Sequence, residues 1–267
     1  MNPFHRCLSA TILYLGAVAG AAAQEAESPI ATDRPGFLFS SLTVGRGTFQ
    51  AELGLPAVTL IENDSEVRIT SLVGLVRLGV SDNLELRLGA PFYNEIRTEA
   101  FVVDDTDSGY GDLEVGAKWH LLDNDGGRPS FALIPSVILT TGEEGFSAEN
   151  PIYQLNTLSE WSLSDGWGLG FLAGLLSGES GGDRYNQGTF ALGLGRSLPL
   201  PAWSAYGEAV YVLTDLDDLD GADNAAYLGA GVKYLVSNDV QLDASFDRGL
   251  TDGSADWLVG LGLAARF

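Results

Sequence analysis

From Thr48 to the last residue, apolar and polar side chains alternate along short stretches separated by turn-forming residues. The clearest stretch is 112–121. Leu113, Val115, Ala117, Trp119 and Leu121 fall on one face; Asp112, Glu114, Gly116, Lys118 and His120 fall on the other. A period of two marks a strand whose faces meet different surroundings, whereas helical spacing would mix these charges with the apolar groups. In 84–92, Leu84, Leu86, Leu88, Ala90 and Phe92 oppose Glu85, Arg87 and Gly89. In 167–175, Trp167, Leu169, Phe171, Ala173 and Leu175 alternate with Gly168, Gly170 and Gly174. Strands are expected near 48–55, 67–80, 84–95, 110–122, 130–140, 152–163, 167–176, 187–197, 203–214, 225–236, 240–248 and 256–267, twelve in all. Arg68 and Arg77 have opposite parity, which predicts either a bulge in the second strand or a misplaced strand boundary.

The connections between these strands run long and short in turn. Short ones hold Ser81-Asp82-Asn83, Ser164-Asp165-Gly166, Leu198-Pro199-Leu200-Pro201 and Ser237-Asn238-Asp239; 123–129 is a longer turn. Long, acid-rich ones are 96–109, 141–151, 177–186 and 215–224. An even number of antiparallel strands, with short turns at one end and long loops at the other, is the layout of an outer-membrane barrel. In that layout both termini and the short turns face the periplasm.

Hydropathy agrees. The chain is 45% hydrophobic with a mean hydropathy of +0.11. Yet no apolar run after Gln24 approaches the roughly 18 residues that a spanning helix needs. Barrel strands need apolar residues only at alternate positions. The fold class expected is therefore all-β, an antiparallel transmembrane β-barrel of about twelve strands.

The N-terminus sets the compartment. Arg6 precedes an apolar stretch from Leu8 to Gly20, followed by Ala21, Ala22 and Ala23, the pattern of a signal peptide cleaved after Ala23. The expected organisation is a signal peptide over 1–23, a periplasmic lead-in or partial plug over 24–47, and an outer-membrane β-barrel over 48–267, in a Gram-negative bacterium. Cleavage removes Cys7, the single cysteine, and with it disulfides and thiol chemistry. The net charge is −22, so a nucleic-acid backbone would be repelled and no nucleic-acid partner is expected.

The last strand places Trp257, Val259, Leu261, Leu263, Ala265 and Phe267 on one face and stops on the aromatic. A strand of this kind pairs readily onto another sheet edge, so Phe267 is expected to engage the barrel assembly machinery.

Two stretches carry a resemblance to a known family. Thr32-Asp33-Arg34-Pro35-Gly36-Phe37, followed by Gly47, Gln50 and Glu52, resembles the opening of the family described as "putative MetA-pathway of phenol degradation". Gly109-Tyr110-Gly111-Asp112, followed by Gly116, Lys118 and Trp119, resembles that family's G-x-G-D strand and its lysine. The resemblance implies an outer-membrane barrel with a role in transport, a role inferred from nearby genes for aromatic degradation. It brings no catalytic residues.

If the apolar parity faces lipid, Glu85, Arg87, Asp112, Glu114, Lys118, His120, Glu160, Glu208, Lys233 and Asp243 point into the lumen, with Arg77 beside Arg87. A lipid-facing Arg or Lys costs about 2–4 kcal/mol at mid-membrane, which enforces this parity. These residues are expected to line the bore and select solutes. The alternative is a set of salt bridges that fills a narrow barrel. Gln24 to Gly47 either tucks into the barrel mouth, where Arg34 or Arg46 meets lumen carboxylates, or only leads into the first strand. Asp104, Asp105 and Asp107, Glu143 and Glu144, and the run Asp215 to Asp223 form acidic loops. That run superficially suggests calcium but lacks the closing glutamate of an EF-hand loop, so a rim beside lipopolysaccharide is the better reading. His120 is the sole histidine after the leader, and no metal, cofactor or catalytic site is expected.

The function expected is passive uptake of small solutes, aromatic or hydrophobic ones among them. The partners expected are outer-membrane lipids, lipopolysaccharide and the solute. A structural or adhesion barrel acting through its acidic loops is the alternative, with a lipid-modifying enzyme built on His120 a third.

Overall fold

The computed structural model describes residues 28–62, 65–100, 103–125, 127–215 and 224–267. The leader 1–23, residues 24–27 and most of the acidic run 215–223 lie outside them.

The strands are β1 (Phe49–Glu62), β2 (Ser65–Ser81), β3 (Leu84–Ala100), β4 (Val103–Gly109), β5 (Glu114–Leu122), β6 (Ser130–Ile138), β7 (Ile152–Ser162), β8 (Trp167–Ser180), β9 (Asp183–Ser197), β10 (Trp203–Asp215), β11 (Ala225–Ser237), β12 (Val240–Gly249) and β13 (Trp257–Arg266). Each pairs antiparallel with its sequence neighbour, and β1 pairs with β13 from Gln50↔Arg266 to Thr59↔Trp257, which closes the ring. β4 and β5 both pair with β3 and are two halves of one wall strand, so the barrel has twelve wall strands. At the seam, Phe49 and Phe267 exchange both backbone hydrogen bonds, at 3.2 and 2.8 Å, and their rings touch at 5.9 Å.

The wall separates two environments. Along β9 the side chains of Phe190, Leu192 and Leu194 are exposed, while Thr189 and Ala191 between them are buried. Leu55, Leu86, Leu175, Leu228 and Leu261 repeat this exposure around the barrel. A band of bare apolar side chains around the wall is what hydrocarbon contact requires, and water would not tolerate it. Aromatics sit toward the strand ends: Trp203 packs on Tyr234 at 4.9 Å, Phe246 on Trp257 at 5.3 Å, and Arg248 lies 3.9 Å above the Trp257 ring. Among the described residues no helix is long and apolar enough to cross a membrane.

Two expectations are corrected. First, the shift that changes the inward parity lies in β3; the second strand has one of its own only at its end, where Val80 is extra between the pairs Gly79↔Glu85 and Ser81↔Leu84. Leu72 pairs with Tyr93 and Val73 with Pro91, leaving Phe92 extra. Phe92 and Tyr93 are both exposed, and the inward parity moves from Glu85, Arg87 and Gly89 to Asn94 and Ile96. The displaced Phe92 ring covers Gly74 of β2, where a Cβ would meet it at 2.2 Å. Arg68 and Arg77 simply face opposite sides of one strand: Arg68 is outside, paired with Glu66 at 2.8 Å, and Arg77 is buried inside. Second, 96–109 and 177–186 are not open loops, because β3–β4 and β8–β9 continue as paired hairpins past the apolar band.

Candidate functional site

Residues 28–47 occupy the inside of the ring at the end that carries the short turns. Ile30 N–H donates to Asn238 O at the β11–β12 turn, 2.7 Å, and Gly47 N–H to Gly79 O of β2, 2.8 Å. Between these ends the segment bonds to nearly the whole circumference. Asp33 N–H donates to Glu52 of β1, Arg34 reaches Asp243 of β12, and Phe37 N–H donates to Glu208 of β10. Ser41 N–H donates to Glu160 of β7 at 2.6 Å, and Val44 N–H to Glu85 of β3 at 2.9 Å. A chain that touches strands on opposite sides of a closed ring lies within it.

Asp33 is the centre of this docking. Lys118 Nζ donates to its two carboxylate oxygens at 2.7 and 2.9 Å, Arg87 donates to Oδ2, and Arg77 stands 3.6 Å away. Arg77 is itself held by Glu85 at 2.7 and 2.9 Å and by Glu52 at 3.0 Å, and also donates to Ala31 O and Leu42 O of the segment. Three cations thus meet three anions, Asp33, Glu52 and Glu85, all buried. Burial alone would raise the Asp33 pKa, but the charges of Arg77, Lys118 and Arg87 overturn this and hold it well below the carboxylate range. Without Asp33 the wall would carry an excess of buried positive charge, a costly state.

Arg34 is seated differently. Its guanidinium lies flat on bare backbone where Gly54 of β1 pairs with Gly262 of β13. A Cβ would fall 1.9 Å from it at Gly54 and 2.2 Å at Gly262. Inward glycines therefore do more than relieve curvature, because these two carve the notch that the docked arginine fills. Gly36, with φ of +86°, makes the turn after Pro35 and fits against Glu208 and Tyr206.

Above the ionic layer a large part of the bore is apolar. Phe37 stacks on Tyr227 at 5.6 Å, and Phe37 and Leu38 join a buried cluster with Val58, Ile69, Ile134, Leu158, Leu172, Val210 and Leu258 from the inner wall. The β12–β13 loop closes over it through Ala255, whose N–H donates to the Tyr227 hydroxyl at 3.1 Å. The expected mixed-charge lining is thus confined to the turn end. At mid-barrel much of the inner wall is apolar too, which the rule that apolar means lipid-facing does not anticipate, although Asp247, opposite Leu258, and the Ser71–Asn94 pair, bonded at 2.7 Å, also stand there.

The expected site residues separate into groups. Arg77, Glu85, Arg87 and Lys118 form the ionic layer; Glu160 and Glu208 accept segment N–H groups; Asp243 holds Arg34, with Lys233 opposite it across β11–β12. His120 Nδ1 is 3.0 Å from Ser41 O and Nε2 is 2.9 Å from Asp123. Glu114 is half-buried opposite Ile138, away from the ionic layer. Asp112 falls in the break between β4 and β5. Its carboxylate accepts the Thr141, Gly142 and Ala148 N–H groups and the Ser147 hydroxyl, so it ties down the β6–β7 loop.

Asp33 and Glu52 were absent from the expected lining. Glu52 and Gln50 alternate with Ala51 and Leu53, a readable signal; Asp33 lies outside any strand, and its signal is its place in the Thr-Asp-Arg-Pro stretch. Among the described residues no group of three or more His, Cys, Asp and Glu is arranged to hold a metal ion.

The sequence profile described as "Putative MetA-pathway of phenol degradation" matches residues 32–267, from the first residue of the Thr-Asp-Arg-Pro motif to the terminal Phe. No curated protein matches the chain. Among solved structures, the fold is similar to that of an outer membrane channel from Pseudomonas putida F1, with a TM-score of 0.66 at 14% identity over 85% of this chain and 98% of that one. It is also similar to the translocator domain of the autotransporter NalP from Neisseria meningitidis, with a TM-score of 0.53 at 14% identity over 84% and 89%. The NanC porin gives a TM-score of 0.51 at 9% identity over 81% and 98%.

Proposed function

Because the chain belongs to the family described as the "putative MetA-pathway of phenol degradation" and folds as the closed barrel of outer-membrane proteins, we propose that it is an outer-membrane channel for passive uptake of small hydrophobic or aromatic solutes. Its short turns face the periplasm, its long connections face the cell exterior, and residues 28–47 are a docked plug that closes the bore from the periplasmic side.

The observation that carries this reading is the inner belt of Val58, Ile69, Ile134, Leu158, Leu172, Val210 and Leu258 around Phe37. A bore for sugars or ions would be lined with polar groups at its middle. Here the wall presents apolar side chains to whatever stands in place of Phe37 and Leu38, so displacing them exchanges one apolar surface for another at little cost. The ionic layer, with Glu160, Glu208 and Asp243, is engaged by the plug. Solute selection thus falls to the belt, with Arg77, Glu85, Arg87 and Lys118 acting as the latch. The engagement of both His120 ring nitrogens supports a non-enzymatic role.

Uptake by intact cells with and without the protein tests this. Labelled aromatic hydrocarbons and medium-chain aliphatics are expected to enter faster with the protein present, and hexoses to enter at an unchanged rate. Equal acceleration of hexoses, or no acceleration of any solute, would remove the reading.

A further inference from the structure

The inner wall is not uniformly apolar, and one of its polar stretches runs across four neighbouring strands. On β6 the inward positions run Ile134, Ser136, Ile138; on β7 they run Leu158, Asn156, Gln154, Ile152. On β8 Gly174 lies between Leu172 and Leu176, and on β9 Thr189 and Gln187 follow Ala191. A hydroxyl and amide belt over β6–β9 is thus sandwiched between two apolar clusters. Below it are Ile134, Leu158, Leu172 and Ala191; above it are Ile138, Ile152 and Leu176.

Several of these polar groups have no protein partner. Asn156 is 4% exposed and Thr189 is 7% exposed, yet neither side chain hydrogen-bonds to any described residue. Asn156 leans across the bare backbone of Gly174, where a Cβ would fall 2.4 Å from its Oδ1. Gly174 therefore leaves the space in which that amide turns toward the bore. Ser136 donates to Gln154 at a long 3.4 Å, and Gln187 to Thr214 at 3.3 Å. Polar atoms that open onto a bore without a protein partner are free to bond to water or to a solute that passes them.

The belt has no formal charge. Glu114, half-buried and opposite Ile138, is the ionisable inward group beside it, and the cations of the ionic layer are engaged with Asp33, Glu52 and Glu85. A carboxylate solute would meet a like charge and no free cation here. A neutral hydroxyl or carbonyl would gain a donor and an acceptor from Asn156 and a hydroxyl from Thr189, with its hydrocarbon part against the clusters on either side.

We propose that Asn156 and Thr189 form a hydrogen-bonding subsite that selects uncharged amphipathic solutes, those with a single hydroxyl or carbonyl on a hydrocarbon body, over both pure hydrocarbons and carboxylates of the same skeleton. This rests on the channel reading and names its substrate class. The test is cellular uptake of n-octane, octan-1-ol and octanoate, with wild type, Asn156→Leu, Thr189→Val and an empty vector. Both substitutions keep side-chain size, and heat-modifiable migration checks that each barrel folds. Wild type is expected to favour octan-1-ol over octane, and each variant to reduce that preference, by about tenfold for Asn156→Leu, the scale of one or two neutral hydrogen bonds. Octanoate should stay near the empty-vector rate throughout. If wild type speeds octane and octanol but the folded variants keep the same ratio, the subsite is overturned and the channel stands. If wild type speeds none of the three, the channel reading fails and the subsite with it.

Discussion

Lys118 of β5 and Asp33 of the docked segment are joined by two hydrogen bonds, from Nζ to Oδ1 at 2.7 Å and to Oδ2 at 2.9 Å, with both side chains fully buried. Asp33 sits in the Thr-Asp-Arg-Pro motif, and Lys118 follows the Gly-x-Gly-Asp motif 85 residues later. The two stretches that carry the resemblance to the family are thus two halves of one latch. Asp33→Asn is expected to undock the segment, because removing one partner of a buried pair costs roughly 3–5 kcal/mol. The check is proteolysis from the periplasmic side: cleavage within 28–47 should appear in the variant and be absent in wild type. The double variant Asp33→Asn, Lys118→Met should be cleaved less than the sum of the single effects predicts, since the two changes share one interaction.

The notch makes a second prediction that alters no charge. Gly262→Ala places a methyl group where the Arg34 guanidinium lies. Alanine suits a strand at least as well as glycine, so the barrel should fold and migrate normally on gels. The docked segment should nonetheless become cleavable, as is expected also for Arg34→Ala. Normal folding with full protection would show that Arg34 can be seated elsewhere.

A third prediction concerns pH. A carboxyl whose pKa is depressed in the folded state adds stability above its unfolded pKa, about 3.9 for Asp. That stability is lost as pH falls through the folded value. Asp33 is depressed in this way by Arg77, Lys118 and Arg87. The contribution of Asp33 to docking should therefore be constant from about pH 7 down to about 4, the unfolded Asp value, and weaken only in stronger acid. The difference in single-channel conductance between wild type and Asp33→Asn should be flat across that range. A rise near pH 6 would show that another group controls release.

At the seam, Phe49→Ala removes the ring that meets Phe267 but leaves the backbone pairing. The loss is expected at about 0.5–1.5 kcal/mol beyond the area effect. It should appear as a lower temperature of heat modification without a change in conductance. Phe267→Ala should lower it similarly and, if the assembly machinery reads that residue, also slow assembly in cells.

The wall was largely legible in the sequence because each strand faces hydrocarbon on one side, and that contrast survives as alternation. β9 to β13 show this plainly. Where strands rise past the apolar band, as Glu95 to Ala100 and Val103 to Gly109 do, both faces meet polar surroundings and the alternation fades, so paired hairpins read as loops. The inner belt was hidden for the opposite reason. On β6, Phe131, Leu133 and Val137 face outward while Ile134 and Ile138 face inward, and two apolar faces leave no contrast to read. The latch was half legible: Arg77, Glu85, Arg87 and Lys118 follow from parity, whereas the carboxylate they enclose comes from Asp33, over 50 residues from Arg87 and outside any periodic stretch.

The central claim, that residues 28–47 close a channel, is tested most directly by single-channel conductance in planar bilayers. Full-length protein and a variant lacking residues 28–44 should be compared. The docked segment predicts low conductance for the first and a severalfold larger, steady conductance for the second, with Asp33→Asn between them. Equal conductance in all three would contradict it.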